Sequence, residues 1–232
     1  MASSRPLVLF GTGEIAELAR FYFEHDTSYR VVAFGVDDEF YKEATKDGLP
    51  IVRRSELVHR FPPADYAMHA ALSYAKLNQN RQRAYEFLGA AGYELVSYVC
   101  SKSVTWPDLK HGANCFILEN QTIQPTVEIG DNVMLWSGNH IGHASKIGSH
   151  TYLASHVVIS GHCVIGQRCF LGVNCTLRDF ITVGDDCFIA MTAAVTSNVP
   201  SGAVVLGEGG KILGPENPAG QRIKTRYFGS IA

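Results

Sequence analysis

From Ile117 to Val195 every sixth residue is aliphatic: Ile117, Ile123, Ile129, Leu135, Ile141, Ile147, Leu153, Ile159, Ile165, Leu171, Leu177, Val183, Ile189 and Val195, with no slip. Two residues earlier stands a mostly small residue, as at Cys115, Val127, Val133, Ser145, Thr151, Val157, Cys163 and Ala193; Asn139 and Ile181 are larger, and Gln121 breaks the pattern early. Glycine often follows the aliphatic, as at Gly130, Gly142, Gly148, Gly166, Gly172 and Gly184. A period of six fits neither an α-helix nor an alternating strand; it is the mark of a repeat architecture. Three hexapeptides predict one triangular coil of a parallel β-helix, with the aliphatic and its small partner inside and the glycines easing the corners. Residues eighteen apart then stack one rung, about 4.8 Å, above each other.

The chain has 232 residues, with 20 basic and 22 acidic side chains. That balance gives no reason to expect a nucleic-acid or membrane partner. No apolar run is long enough to span a bilayer, and Met1–Pro6 lacks a signal-peptide pattern, so a cytoplasmic protein is expected. Five of the six cysteines (Cys115, Cys163, Cys169, Cys175, Cys187) occupy the small inward slot of the repeat and read as small buried hydrophobes.

The segment before the repeats has a different rhythm. Residues 6–10 and 30–36 read as buried parallel strands. Between them Gly11-Thr12-Gly13-Glu14-Ile15-Ala16 opens a helix with Ile15, Leu18, Ala19 and Tyr22 on one face, and Asp37-Asp38 follows the second strand. This is half of a dinucleotide-type βαβ unit: Gly11 and Gly13 let a phosphate approach a helix N-terminus, and Asp37 or Asp38 suits a ribose or base. A tight turn without a ligand, with the aspartates as turn residues, fits the same letters. Ser55 reads as the cap of a brief helix. Residues 64–73 and 93–99 read as further strands, with a helix between them that opens near Asn78 and Arg81. These two suit a phosphate or sugar hydroxyl, or else a solvated first turn. An α/β domain over residues 1–100, a coil over 101–200 and a C-terminal loop over 201–232 are expected.

Five of nine histidines fall between His140 and His162. The eighteen-residue rule stacks His143 beneath Gly161. An imidazole that accepts a proton, one rung from a glycine N–H that meets an oxyanion, is a workable acyl-transfer pair. Surface histidines and a zinc site at a subunit junction are the competing readings.

With Gly11-Thr12-Gly13, Asp37-Asp38, the hexapeptides and His143 in place, nearly the whole chain resembles the two-domain hexapeptide-repeat sugar acyltransferases. These include the bacillosamine and perosamine N-acetyltransferases and the sialic-acid O-acetyltransferase relatives. The resemblance implies a left-handed coil, although the general crossover rule favours the other hand. It also implies a homotrimer and acetyl-CoA as cosubstrate, with no metal. The acceptor is a nucleotide-linked amino sugar of surface glycan synthesis, such as a 4-amino-4,6-dideoxyhexose, held by the N-terminal domain. By motif, His143 matches the base, Gly161 the oxyanion glycine, which also contacts the cofactor, and His150 a second active-site histidine. His162 joins the substrate side, and Val173 and Met191 lie along the pantetheine arm. Two departures stand out. Ala144 replaces the acid that often follows the base, and Gly207-Glu208-Gly209-Gly210-Lys211 replaces the usual C-terminal turn beside the cofactor, where Lys211 is expected. Sugar O-acetylation, acyl transfer from a carrier protein, metal-dependent hydration and a non-catalytic scaffold are the alternatives.

Overall fold

The computed structural model describes residues 5–209 and 213–228. Its N-terminal part is an α/β layer of β1 (Leu7–Phe10), α1 (Glu14–Asp26), β2 (Val31–Val36), β3 (Thr45–Lys46), β4 (Leu49–Arg53), α2 (Leu57–Arg60), β5 (Ala67–Ala70), α3 (Gln79–Ala90) and β6 (Glu94–Leu95). The sheet order is β3-β4-β2-β1-β5-β6, and only β3 runs antiparallel. All four residues of β1 are buried, as a central strand covered on both faces requires. The chain leaves β1 toward β2 and leaves β5 toward β6, so a crevice opens between the carboxyl ends of β1 and β5.

The strand expected over 93–99 divides in two. Glu94–Leu95 closes the α/β sheet, whereas β7 (Tyr98–Val99) already pairs with Phe116–Ile117 of the coil. The change of domain therefore falls between Leu95 and Tyr98. From there two-residue strands pair in parallel with partners eighteen residues on, such as Met134 with Tyr152 and Leu135 with Leu153. Three faces result. The first carries Phe116–Ile117, Met134–Leu135, Tyr152–Leu153 and Phe170–Leu171; the second, Thr122–Ile123 to Ala194–Val195; the third, Lys110–His111 to Thr182–Val183. This is the left-handed parallel β-helix. Its interior is the ladder of aliphatics and their small partners, among them all five repeat cysteines, buried and free. Beyond Val195 the pitch shortens: Phe188 pairs with Val204, which adds a seventh strand to the first face. Within 201–232, where a loop is expected, Pro218–Phe228 forms a helix, α4.

The corners are turned differently from the expectation. From Asn114 to Thr192 every sixth residue has φ between 54° and 65°, except Gly138 at 81°. Asn, Asp and His tolerate this left-handed region better than other side chains, and His150, His156 and His162 all occupy it. Corner geometry thus accounts for three of the clustered histidines. The glycines after the aliphatics have no positive φ. A Cβ on Gly142 would lie 2.5 Å from the Ser160 carbonyl carbon, and one on Gly148 2.5 Å from that of Gly166. Glycine stands there because the next coil's backbone fills the space.

One core joins the two parts. Leu7, Leu9, Val31 and Phe34 of the sheet, with Phe23 of α1, pack against Tyr98, Phe116, Met134 and Tyr152, which point outward from the first face. The opposite side of the sheet buries Val8 and Phe10 against Leu57 and Leu88.

His69 is sealed inside the shared core. Its Nδ1 lies 2.9 Å from the Val96 carbonyl, and its ring meets Phe23 edge-on at 5.2 Å. Burial pushes the imidazole down from 6.5 to about 4. Between those values the unfolded chain binds the proton and the native one does not. The stability contribution is therefore whole above pH 6.5 and lost as pH falls toward 4. At 1.36 kcal/mol per unit the loss is about 3 kcal/mol. Urea midpoints measured from pH 7 to pH 4 should fall accordingly, and His69→Leu should flatten that acid limb.

Candidate active site

The corner between the second and third faces stacks His143, Gly161 and Asp179. A Cβ on Gly161 would lie 2.7 Å from His143 Cε1 and 3.1 Å from Nε2, so the imidazole lies over a residue that must lack a side chain. The Gly161 N–H, expected to face an oxyanion, donates to Asp179 Oδ1 at 2.9 Å. The amide is engaged by a carboxylate and is not a free donor, which corrects the sequence expectation. Gly161 contributes room.

Sequence reasoning missed Gln124. Its Oε1 accepts from the His143 backbone N–H at 2.8 Å and lies 3.2 Å from Nδ1 of the same residue. A backbone N–H only donates, so the amide atom facing it is oxygen, and Nδ1 must then carry a proton to donate to it. The neutral imidazole keeps its lone pair on Nε2, beside the Cε1 that lies nearest Gly161. Gln124 thus orients the ring where Ala144 cannot. The residue lies nineteen positions before His143, one off the stacking rule. His162 meets His143 edge-on at 4.9 Å and stacks flat on Phe180 at 4.8 Å.

A cavity of about 1030 Å³ fills the crevice of the α/β layer. Gly11 and Gly13 line it, as do Asp37 and Asp38, and Lys42, Arg54, Lys76 and Arg83 give it a cationic wall. Gly11 has φ of +132°, and a Cβ there would lie 2.4 Å from the Ala71 carbonyl oxygen; around Gly13 the space is open. Asp37 pairs with Arg54 at 3.1 Å. Asp38 Oδ1 accepts from the Ser55 N–H at 3.3 Å and hydroxyl at 3.0 Å, so Ser55 ties two loops together and makes no side-chain cap.

Asn78 and Arg81 are elsewhere. Both are buried and clamp the domain to the coil. Asn78 Nδ2 donates to the Cys169 carbonyl at 3.0 Å, and Arg81 Nη2 donates to the His150 carbonyl at 3.0 Å. Burial holds the Arg81 guanidinium down at about 10. His150 belongs to the same seam: Asn114 donates to Asn132 at 2.8 Å, and Asn132 Nδ2 lies 2.9 Å from His150 Nδ1. None of the three reaches His143. Asn80 and Arg83, each two residues further on, line the cavity instead. Lys76, Leu77 and Asn78 have φ of 52°, 50° and 65°, a strained run fixed by the buried Asn78 that sets Lys76 on the cavity wall.

Val173 and Met191 stack eighteen apart at the corner between the first and second faces, 38% and 62% exposed. They form an apolar strip suited to a pantetheine arm, on a different corner from His143. Lys211 lies outside the described residues. Among the described residues no three His, Cys, Asp or Glu side chains gather as a metal site, and no helix is long and apolar enough to cross a membrane.

Residues 126–161 match the bacterial transferase hexapeptide family of six repeats, and residues 163–197 the hexapeptide repeat of succinyl-transferase. No curated protein matches the sequence. The fold is that of the acetyltransferase domain of PglB from Neisseria gonorrhoeae, solved with acetyl coenzyme A: TM-score 0.77 at 18% identity, over 90% of this chain and 100% of that one. PerB from Caulobacter crescentus, solved with CoA and GDP-perosamine, gives 0.76 at 19% over 88% and 97%. WeeI from Acinetobacter baumannii gives 0.73 at 18% over 90% and 100%.

Nitrogen-15 spectra of the imidazoles should show His143 as the Nδ1–H tautomer, with Gln124→Leu shifting it toward Nε2–H; a wild-type Nε2–H form would contradict the Gln124 geometry. Arg81→Ala leaves the buried His150 carbonyl and Asn78 Oδ1 short of a donor and should lower stability by about 2–4 kcal/mol. Arg83→Ala on the cavity wall should stay within about 0.5 kcal/mol. Urea titration separates the two.

Proposed function

We propose that the protein is an acetyl-CoA-dependent N-acetyltransferase acting on a nucleotide-linked amino sugar, with His143 as general base. The observation that carries this reading is the imidazole held by Gln124 over Gly161, on a fold whose solved examples bind acetyl-CoA, CoA and GDP-perosamine. An aliphatic amine is largely protonated at neutral pH. His143 Nε2 takes one proton, the neutral nitrogen attacks the thioester carbonyl, and the tetrahedral intermediate collapses with departure of the CoA thiolate, which takes up the second proton that the nitrogen sheds to become an amide. The Gly161 N–H reaches the oxyanion only where Asp179 releases it.

The α/β domain covers the first face, while His143 lies on the corner opposite that face. The base and the cavity of one chain therefore look in different directions. A site that contains both is completed by a second copy, which supports a cyclic homo-oligomer, a trimer in our reading, working in the cytoplasm on precursors of a surface glycan.

His143→Ala and His143→Asn should fold normally and lose roughly 10²-fold or more in turnover, read as free thiol released from acetyl-CoA with a panel of UDP-, dTDP- and GDP-linked amino and hydroxy sugars. Unchanged turnover removes the base assignment. Mixed oligomers of His143→Ala with a Lys76→Glu/Arg83→Glu double variant should recover roughly a quarter of wild-type activity, because about that share of junctions pairs an intact base with an intact cavity. No recovery would mean that each chain works alone.

A further inference from the structure

A second cavity, of about 600 Å³, opens where the turn after β1 meets the first face of the coil. It shares Gly13, Leu72 and Ser73 with the larger cavity, so the two are compartments on either side of one ridge. Its character is different. Tyr74, Trp136 and Tyr152 wall it, and Glu14 stands at its rim. The aromatic rings brace each other: Tyr74 meets Tyr152 edge-on at 5.1 Å, Tyr152 stacks flat on Phe170 at 5.1 Å, and Trp136 tilts against Tyr152 at 6.4 Å. Glu14 has no ion pair or side-chain hydrogen bond among the described residues. Trp136 begins the corner that carries Val173 and Met191, so the compartment lies between the cationic cavity and the apolar strip.

We propose that this compartment holds the sugar ring of the nucleotide-linked substrate and that Glu14 selects a ring bearing an amine. The proposal rests on the reading above and gives it a specificity element. A pyranose presents an apolar C–H face, which fits fixed aromatic walls. An ammonium group is drawn to aromatic faces and to a carboxylate, and a hydroxyl in its place gains much less from either. With the diphosphate among Lys42, Lys76 and Arg83, the sugar crosses the Gly13–Ser73 ridge, and its amine arrives at the Trp136 corner. Glu14 binds the abundant protonated amine, and the proton leaves to the imidazole before attack. Glu14 touches the reactant only at recognition. Its loss therefore weakens capture of the amine without slowing the chemistry.

Calorimetric titration of the full chain tests this with three probes: a free nucleoside diphosphate, the same nucleotide linked to a 4-amino-4,6-dideoxyhexose, and the matching 6-deoxyhexose with hydroxyl in place of the amine. Wild type should bind the amino sugar about tenfold tighter than the hydroxy sugar, and Glu14→Gln should cut that gap to about threefold or less. The diphosphate affinity should not change. In turnover Glu14→Gln should raise KM with kcat held. Trp136→Ala, its fold checked by thermal melting, should weaken both sugars and leave the diphosphate alone. If wild type binds none of the nucleotide sugars, the proposed function and this site fall together. If it binds them and Glu14→Gln keeps the full gap, only the role of Glu14 is overturned. If a sugar adds nothing to diphosphate affinity, the compartment is not its site.

Discussion

Each corner of the coil turns through one residue held near φ of 60°, and the stack depends on that repeated angle. For a non-glycine residue the left-handed conformation costs roughly 1–2 kcal/mol. Each hexapeptide also buries one Ile, Leu or Val completely, which contributes about 1.5–3 kcal/mol. The balance is favourable only while every turn keeps the same length, since a slip of one residue would turn the aliphatics outward. The regular angle is also what superposes positions eighteen apart, so it creates the His143–Gly161 column. A corner residue need only tolerate positive φ, which leaves its side chain free for other use. His150 is used to bind the domains, and His162 to flank the base.

The outward residues of the three faces decide how the halves meet. On the second and third faces these positions carry Thr, His, Lys, Glu, Val and Ala; on the first they carry Phe116, Met134, Tyr152, Phe170 and Phe188. A face of large apolar side chains must be covered, and one side of the α/β sheet covers it from Phe116 to Tyr152, with Phe170 partly buried and Phe188 left exposed. Polar groups caught in that contact are matched in turn, as Arg81 is with the His150 carbonyl and Asn78 with that of Cys169. The seam fixes the nucleotide-type cavity to one side of the prism, which leaves the base on the far edge.

The period of six, the inward residues and the α/β character of the first hundred residues were legible because burial writes them as periodic letters. The first face was legible too: every third hexapeptide places an aromatic or methionine before its aliphatic, and reading that column would have located the domain contact. Asn78 and Arg81 were misread because a polar residue opening a helix looks the same in sequence whether it faces solvent, a phosphate or a carbonyl of another domain. The turn glycines were assigned to a torsion when their constraint is contact with the next coil, which only the assembled stack reveals. Gln124 was hidden because its side chain crosses diagonally to the neighbouring column.

That diagonal bond follows from the scaffold's own habit. At this turn position the backbone N–H is in several coils capped by the side chain one coil on: Ala113 donates to Asp131, Gln167 to Asp185, Asp131 to Ser149, and Gly161 to Asp179. His143 cannot be capped in this way, because the residue one coil on is Gly161, which has no side chain to offer. Its amide would be left unsatisfied, and Gln124 supplies the missing acceptor from the coil below. One glycine therefore does two things: it opens the space that the imidazole fills, and it forces the cap to come from a side chain that also grips Nδ1. Local rules are broken most often at functional positions, and here the amide that must be capped from an unusual direction belongs to the candidate base itself.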